Sequence, residues 1–397
     1  MSALLLPSLP FGHSTLPLFN INKTFELTGH ITVCFDDSII IWGGMKEDNS
    51  SENQSDVLFV IPKEVEKREK FRKKFWRFYK LRSNEVIPCL KNATGILINE
   101  FLYIFGGFSS PGDNLYCYVS ALVTANNQIY KIDLETRDFT KLKPKSGLVP
   151  QPRISAAGWN YLGKCYYFGG WGPRIFDGQY EIITYDQPDI ERVMIETIPE
   201  NFPSVCFINQ LLQFDPEKEE FANLRTYADI PSPRSGAAAV CQPMENYVLL
   251  YGGYDGISYL DDLYTLDTKS LIWTRILFRN MTIPVGRSDF TFTQIDERNF
   301  IVYGGNGIAI SHTSETCWKL QATWTDPPQF IWRSIPTDTM LRHGHGAVWY
   351  DEQLYIVGGF FTPPVSPKET SLGALLNLKI RKKLSTDIPK KLGRKSF

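Results

Sequence analysis

Histidine is scarce. The 397 residues contain five, at positions 13, 30, 312, 343 and 345. A site built on imidazole ligands or an imidazole base has little to draw on. Only His343 and His345 stand close together, and strand alternation would put both on one face. Two histidines hold a metal weakly, and a structural role suits them better. The seven cysteines never occur as CxxC. Zinc sites and disulfide frameworks both need clustered or paired cysteines, so free thiols in a reducing compartment are expected. Charge of one sign is lacking as well. Lys and Arg number 42 against 43 Asp and Glu, a net −1, so the overall charge draws the chain to neither nucleic acid nor a membrane surface. No apolar run approaches the ~18 residues of a membrane span. The start, MSALLLPSLPFGH, has no basic residue before an apolar stretch broken by Pro7 and Pro10. It is not read as a signal peptide, and a cytoplasmic or nuclear location is expected. GxxxxGK[ST] and GxSxG are both missing, so the phosphate loop and the nucleophile elbow are excluded. The acidic pair Asp261–Asp262 precedes an alternating apolar run and reads as a turn. No metal, cofactor or catalytic centre is expected.

Apolar and aromatic residues are plentiful, at 43% and 14%. Flat rings pack well on pleated surfaces. Six apolar runs end in a glycine pair: IIIWGG, YIFGG, YYFGG, LLYGG, IVYGG and YIVGG. Their first glycines are Gly43, Gly106, Gly169, Gly252, Gly304 and Gly358, at intervals of 63, 63, 83, 52 and 54 residues. Residues 231–273 show the unit most clearly. A small apolar strand, Ser235–Cys241, precedes Tyr247–Tyr251, the doublet, an alternating Leu263–Leu266 and a closing Trp273. Phe139, Phe221 and Trp332 occupy the place of Trp273 in other units. Four short antiparallel strands per unit make one propeller blade.

The doublets and downstream aromatics resemble the kelch repeat, whose period is about 50 residues. The resemblance implies an all-β, six-bladed kelch β-propeller over residues 1–365 and a short tail over 366–397. About thirty extra residues follow Gly170, relative to a ~50-residue unit; long loops of this kind are often functional. The last unit lacks its outer strands. The segment Leu18–His30 resembles the second half of a blade, so residues 1–30 are expected to close the ring and remove free sheet edges. The basic run KEVEKREKFRKKFWRFYKLR ends at Arg82. It reads either as a targeting or anion-binding patch or as a first-blade connection whose outer strand carries Phe75, Trp76 and Phe78.

Four stretches sharpen the likeness: GHITVCFDDSIIIWGG with DVLFVIPKEV, PSPRSGAAAV with YLDDLYTLDT, PVGRSDFTF, and the tail. They resemble the small kelch-domain substrate receptors of Cullin-RING ubiquitin ligases. The resemblance implies a non-catalytic subunit that binds protein substrates through a short peptide degron in the propeller mouth. Leu372, Leu375, Leu376 and Ile380 fall on one helical face, similar to the helix with which such receptors dock Elongin B/C. Ile388, Pro389 and Leu392 resemble the motif that selects the Cullin. The alternative for ALLNLKI is a last β-strand, since Gly373 weakens a helix by about 1 kcal/mol. In the mouth, Ser288 matches a pocket serine, while Trp171 and Phe207 take the places of a tyrosine and a tryptophan. Tyr254 and Tyr259 stand where the family has carboxylate-binding arginines, and Ser155 where it has a lysine. Arg234, Arg287 and Arg342 either restore that charge or bond to loop carbonyls. An interaction scaffold without a ligase partner is the alternative function, because fold alone does not fix function.

Overall fold

A computed structural model describes residues 27–46, 57–62, 77–109, 125–144, 146–173, 205–279, 281–307, 316–335, 341–350, 352–361 and 376–379. All their regular structure is β. Among the described residues, six sheets of three or more strands follow one another along the chain, and we number them I to VI. Sheet I holds Ile31–Phe35, Ser38–Trp42, Val57–Pro62 and Arg77–Lys80; the last strand ends the basic run. Sheet II holds Thr94–Ile98, Phe101–Phe105, Ile129–Asp133 and Phe139–Leu142. Sheet III is built on Ala157–Tyr161, Lys164–Phe168, Leu211–Asp215 and Glu220–Leu224, and sheet IV on Ala238–Gln242, Tyr247–Tyr251, Leu263–Asp267 and Ile272–Ile276. Each of these two gains a short parallel strand at its outer edge, Ser146–Gly147 and Tyr227–Ala228. Sheet V holds Thr291–Gln294, Asn299–Tyr303, Cys317–Thr323 and Gln329–Ser334. Sheet VI holds Gly346–Tyr350, Gln353–Val357 and Leu376–Lys379. The first strand of each sheet packs against the first strands of its two neighbours, and Gly346–Tyr350 meets Ile31–Phe35. The fold is an all-β propeller.

The doublets make this packing possible. Both Gly252 and Gly253 have positive φ, +64° and +106°, a region most side chains avoid. A Cβ on Gly252 would lie 2.9 Å from the Arg287 carbonyl oxygen of the next sheet. The Gly253 N–H donates to that same oxygen at 2.8 Å. The pattern repeats from sheet to sheet, with the second glycine donating to Leu90, Arg153, Arg234, Arg287 and Arg342, and Gly359 to Leu27. The residue before each doublet fills the adjoining seam. Trp42 stacks on Phe139, Phe105 lies on Phe221, Phe168 on Trp273 and Tyr251 on Trp332, with ring centroids 5.1–6.1 Å apart. Each of these outer-strand aromatics thus packs on the preceding sheet, and all four are buried.

The described part of the tail, Leu376–Lys379, is a strand and not a helix. Leu376–Lys379 pairs antiparallel with Gln353–Val357. That strand would otherwise present an edge of unpaired backbone groups, and the alternating apolar sequence of the tail can satisfy it. The third strand of sheet VI therefore comes from the C-terminal side of the chain. Leu27–Thr28 pairs with Met45–Lys46 of the first unit instead, and is tied to sheet VI by Gly359 N–H to Leu27 O and Gly29 N–H to Gly344 O. Residues 1–26, and Leu372, Leu375, Ile380, Ile388, Pro389 and Leu392, lie outside the described residues.

Candidate functional site at the propeller mouth

Six three-residue stretches enter the innermost strands: TGH, KNA, ISA, SGA, SDF and HGH. Their central residues, Gly29, Asn92, Ser155, Gly236, Asp289 and Gly344, all have φ between +52° and +66°. Each N–H donates to the carbonyl of the preceding central residue at 2.9–3.0 Å, and Gly29 donates to Gly344. A closed circle of backbone hydrogen bonds frames a central channel of about 270 Å³. The left-handed conformation explains the residue types. Glycine adopts it freely, and Asn and Asp are several-fold enriched there.

The residues after the doublets form the rim. Met45, Phe108, Trp171, Tyr254, Asn306 and Phe360 bridge to Thr28, Lys91, Ile154, Ser235, Ser288 and His343, the first residues of the same stretches. Five of the six rim residues are large and apolar or aromatic. On sheets III and IV they become a continuous wall. Trp171 is the cross-strand partner of Phe207. Phe207 meets Tyr254 edge-on at 5.9 Å, and Tyr254 lies 5.0 Å from Tyr259. The Tyr254 hydroxyl donates to the Gly256 carbonyl at 2.7 Å, which fixes the ring. The four aromatics named from the sequence are brought together. Ser288 is buried on sheet V and donates to Asp289 Oδ2 at 3.1 Å.

The arginines are not part of this surface. Arg234, Arg287 and Arg342 are 1%, 0% and 3% exposed. Each turns into its own sheet, where one Nη donates to the carbonyl of that sheet's first doublet glycine: Gly252, Gly304 and Gly358, at 2.9–3.1 Å. Arg153 does the same with Gly169, a role the sequence reading missed. The glycine conformation aims that carbonyl inward, and a buried carbonyl needs a donor. Arg234 also forms a two-pronged pair with Asp262, whose Oδ1 and Oδ2 lie 2.6 and 3.0 Å away. Asp262 is thus a largely shielded counter-ion to a buried guanidinium and not a turn residue.

Charge reaches the mouth from other residues. The Lys91 ammonium lies 5.6 Å from the Phe360 ring centre, and His343 packs edge-on to that ring at 5.8 Å. Burial raises the carboxyl pKa of Asp289; the Ser288 hydroxyl and the more distant His343 and Lys91 work against that shift. His343 and His345 do not share a face, because positive φ at Gly344 interrupts the alternation between them. His345 turns into the seam beside Tyr303 and pairs with Thr291 Oγ1 at 3.0 Å. Burial pushes His345 down to about 3 and His30 down to about 4, leaving both neutral. The six described cysteines are free thiols. Among the described residues, no group of three or more His, Cys, Asp or Glu could hold a metal ion.

The model for the KLHDC2/KLHL20/DRC7 Kelch-repeats domain matches residues 200–393. Over that stretch the chain is similar to kelch-repeat proteins. Kelch domain-containing protein 1 of Mus musculus is 24% identical over 308 residues, spanning 74% of this chain and 68% of that protein. Kelch domain-containing protein 2 of Bos taurus is 23% identical over 291 residues, 70% of this chain and 63% of that protein. Host cell factor 1 of Rattus norvegicus is 26% identical over 279 residues, 65% of this chain and 12% of that protein. Among solved structures, that of YjhT superposes with a TM-score of 0.59 at 18% identity, covering 92% of this chain and 97% of the other. It shares the fold. Kelch-repeat domains are protein-interaction domains.

Proposed function

We propose that this kelch propeller has six blades, sheets I to VI, and is a receptor that binds a peptide segment of its protein partners in the mouth. The observation that carries the reading is the aromatic wall of Trp171, Phe207, Tyr254 and Tyr259 on a hydrogen-bonded rigid rim. Aromatic walls with a few placed polar groups are the usual make-up of a ligand pocket. Loops held on a rigid scaffold are the usual place for recognition. The likeness to kelch receptors of Cullin-RING ligases supports assigning the peptide a degron role, with Elongin B/C and a Cullin as assembly partners and ubiquitin transfer left to them.

Two tests bear on this. Peptides with a free C-terminal carboxylate and with an amidated end should bind within severalfold of one another, because among the described residues the arginines beside the mouth are buried in their sheets. A hundredfold loss on amidation, about 2.7 kcal/mol, would show a strong carboxylate clamp and contradict that assignment. Affinity purification with residues 371–397 intact and deleted should show Elongin B/C lost with the tail. The pairing of Leu376–Lys379 in sheet VI favours the second reading, an interaction scaffold without a ligase partner. Elongin B/C absent from both purifications would establish that reading in place of the ligase role.

A further inference from the structure

The mouth has two unlike halves. On sheets III and IV stands the aromatic wall. At its sheet V end lies Asp289, the one carboxylate among the six central residues of the channel circle. A Cβ on Gly236 would sit 3.1 Å from Asp289 Oδ1. The neighbouring Ser235 exchanges two backbone hydrogen bonds with Tyr254, at 2.8 and 3.0 Å. The carboxylate therefore adjoins the start of sheet IV, next to the rim strand that carries Tyr254. Among the described residues, the positive charge at the mouth stands apart from the aromatic wall. The guanidinium groups are buried inside their sheets, and the Lys91 ammonium rests on Phe360 beyond the aromatic wall.

We propose that the mouth accepts a cationic side chain, Lys or Arg, of a bound peptide, seated between the aromatic wall and the Asp289 carboxylate. The proposal rests on the reading of the mouth as a peptide site. Aromatic faces carry negative potential and attract ammonium and guanidinium groups. A half-buried carboxylate adds a directed acceptor for charge-assisted hydrogen bonds. Burial raises the pKa of Asp289 against the opposing pull of Ser288, His343 and Lys91, so its negative charge is only partly compensated in the free protein and further compensation would favour the ionised form. A cation is the ligand chemistry that supplies it. Lys91 then acts as a competitor across the channel, keeping the site from being strongly anionic when empty.

The test uses the full chain and immobilised nonapeptide pools, N-acetylated and C-amidated, random except for a central Arg, Lys, citrulline or norleucine. Citrulline keeps the shape of arginine and removes its charge. The Arg and Lys pools should retain at least tenfold more protein than the citrulline and norleucine pools. Asp289→Asn should erase that preference. Asparagine tolerates the left-handed conformation and still accepts the Ser288 hydroxyl, so the fold should survive. Lys91→Met should strengthen retention on the Arg pool. Equal retention on Arg and citrulline would overturn the cation proposal and leave the peptide site standing. No retention on any pool would overturn both. A charge preference that survives Asp289→Asn would refute the place assigned to the cation.

Discussion

Asp262 shows how much one residue can decide in this protein. Its carboxylate holds a guanidinium that is 1% exposed. Removing one member of a buried pair leaves the other charged and uncompensated, at a cost of about 3–5 kcal/mol. Asp262→Ala should therefore lower stability by that order in denaturant titration, whereas Asp261→Ala, its chain neighbour, should change little. His30 and His345 make a second residue-scale prediction. Their folded pKa values, about 4 and about 3, lie below the ordinary 6.5. The unfolded chain thus binds more protons as pH falls through 6.5, and folding stability declines with it. Between pH 7 and pH 5 each histidine should cost roughly 2 kcal/mol. His345→Phe, which copies the Phe290 of the preceding stretch, should flatten this dependence. An equally steep curve in the variant would refute the buried neutral imidazole. These residue-scale features were the least legible in the sequence. An arginine before an inner strand, present in four of the six units, can point to a ligand or to its own sheet. The choice depends on a carbonyl sixteen to eighteen residues away, aimed inward by a glycine conformation.

At the scale of the element, the sequence was most informative where a local requirement and a packing requirement coincide. The doublets need positive φ and also allow a neighbouring carbonyl to approach, so no other residue substitutes easily. The outer-strand aromatics were equally visible, because each fills a seam between sheets. Trp273, fully buried against Phe168 and Tyr264, should cost about 3–5 kcal/mol on truncation to Ala, measured by thermal or denaturant unfolding. The tail was ambiguous for a physical reason. ALLNLKI carries apolar residues at spacings that suit a helical face and also alternates as a strand, and only the unpaired edge of Gln353–Val357 favours the second. Replacing Leu378 by Pro would remove a ladder hydrogen bond there. If the strand closes sheet VI, the melting temperature should fall by several degrees; an unchanged value would mean that the edge is covered otherwise.

For the whole molecule, ring closure and recognition are linked by the circle of six backbone hydrogen bonds. It joins the start of sheet I to sheet VI and also frames the mouth. Recognition by a rigid rim follows from that closure, so an opened ring should lose both stability and binding. The propeller could be read from repeats, and the aromatic part of the mouth from the likeness to kelch substrate receptors. Lys91, Asp289 and His343 could not, because their importance appears only when the six entry stretches are set in register around the channel. The most direct test is a peptide selected against the full chain, titrated calorimetrically into the wild type and into Trp171→Ala, Tyr254→Ala and Leu162→Ala. Leu162 is 78% exposed in a hairpin turn at the far end of an inner strand. Peptide recognition by the aromatic wall predicts at least a tenfold loss of affinity, about 1.4 kcal/mol, for each mouth variant and none for Leu162→Ala. Undiminished binding by folded Trp171→Ala and Tyr254→Ala proteins would contradict it.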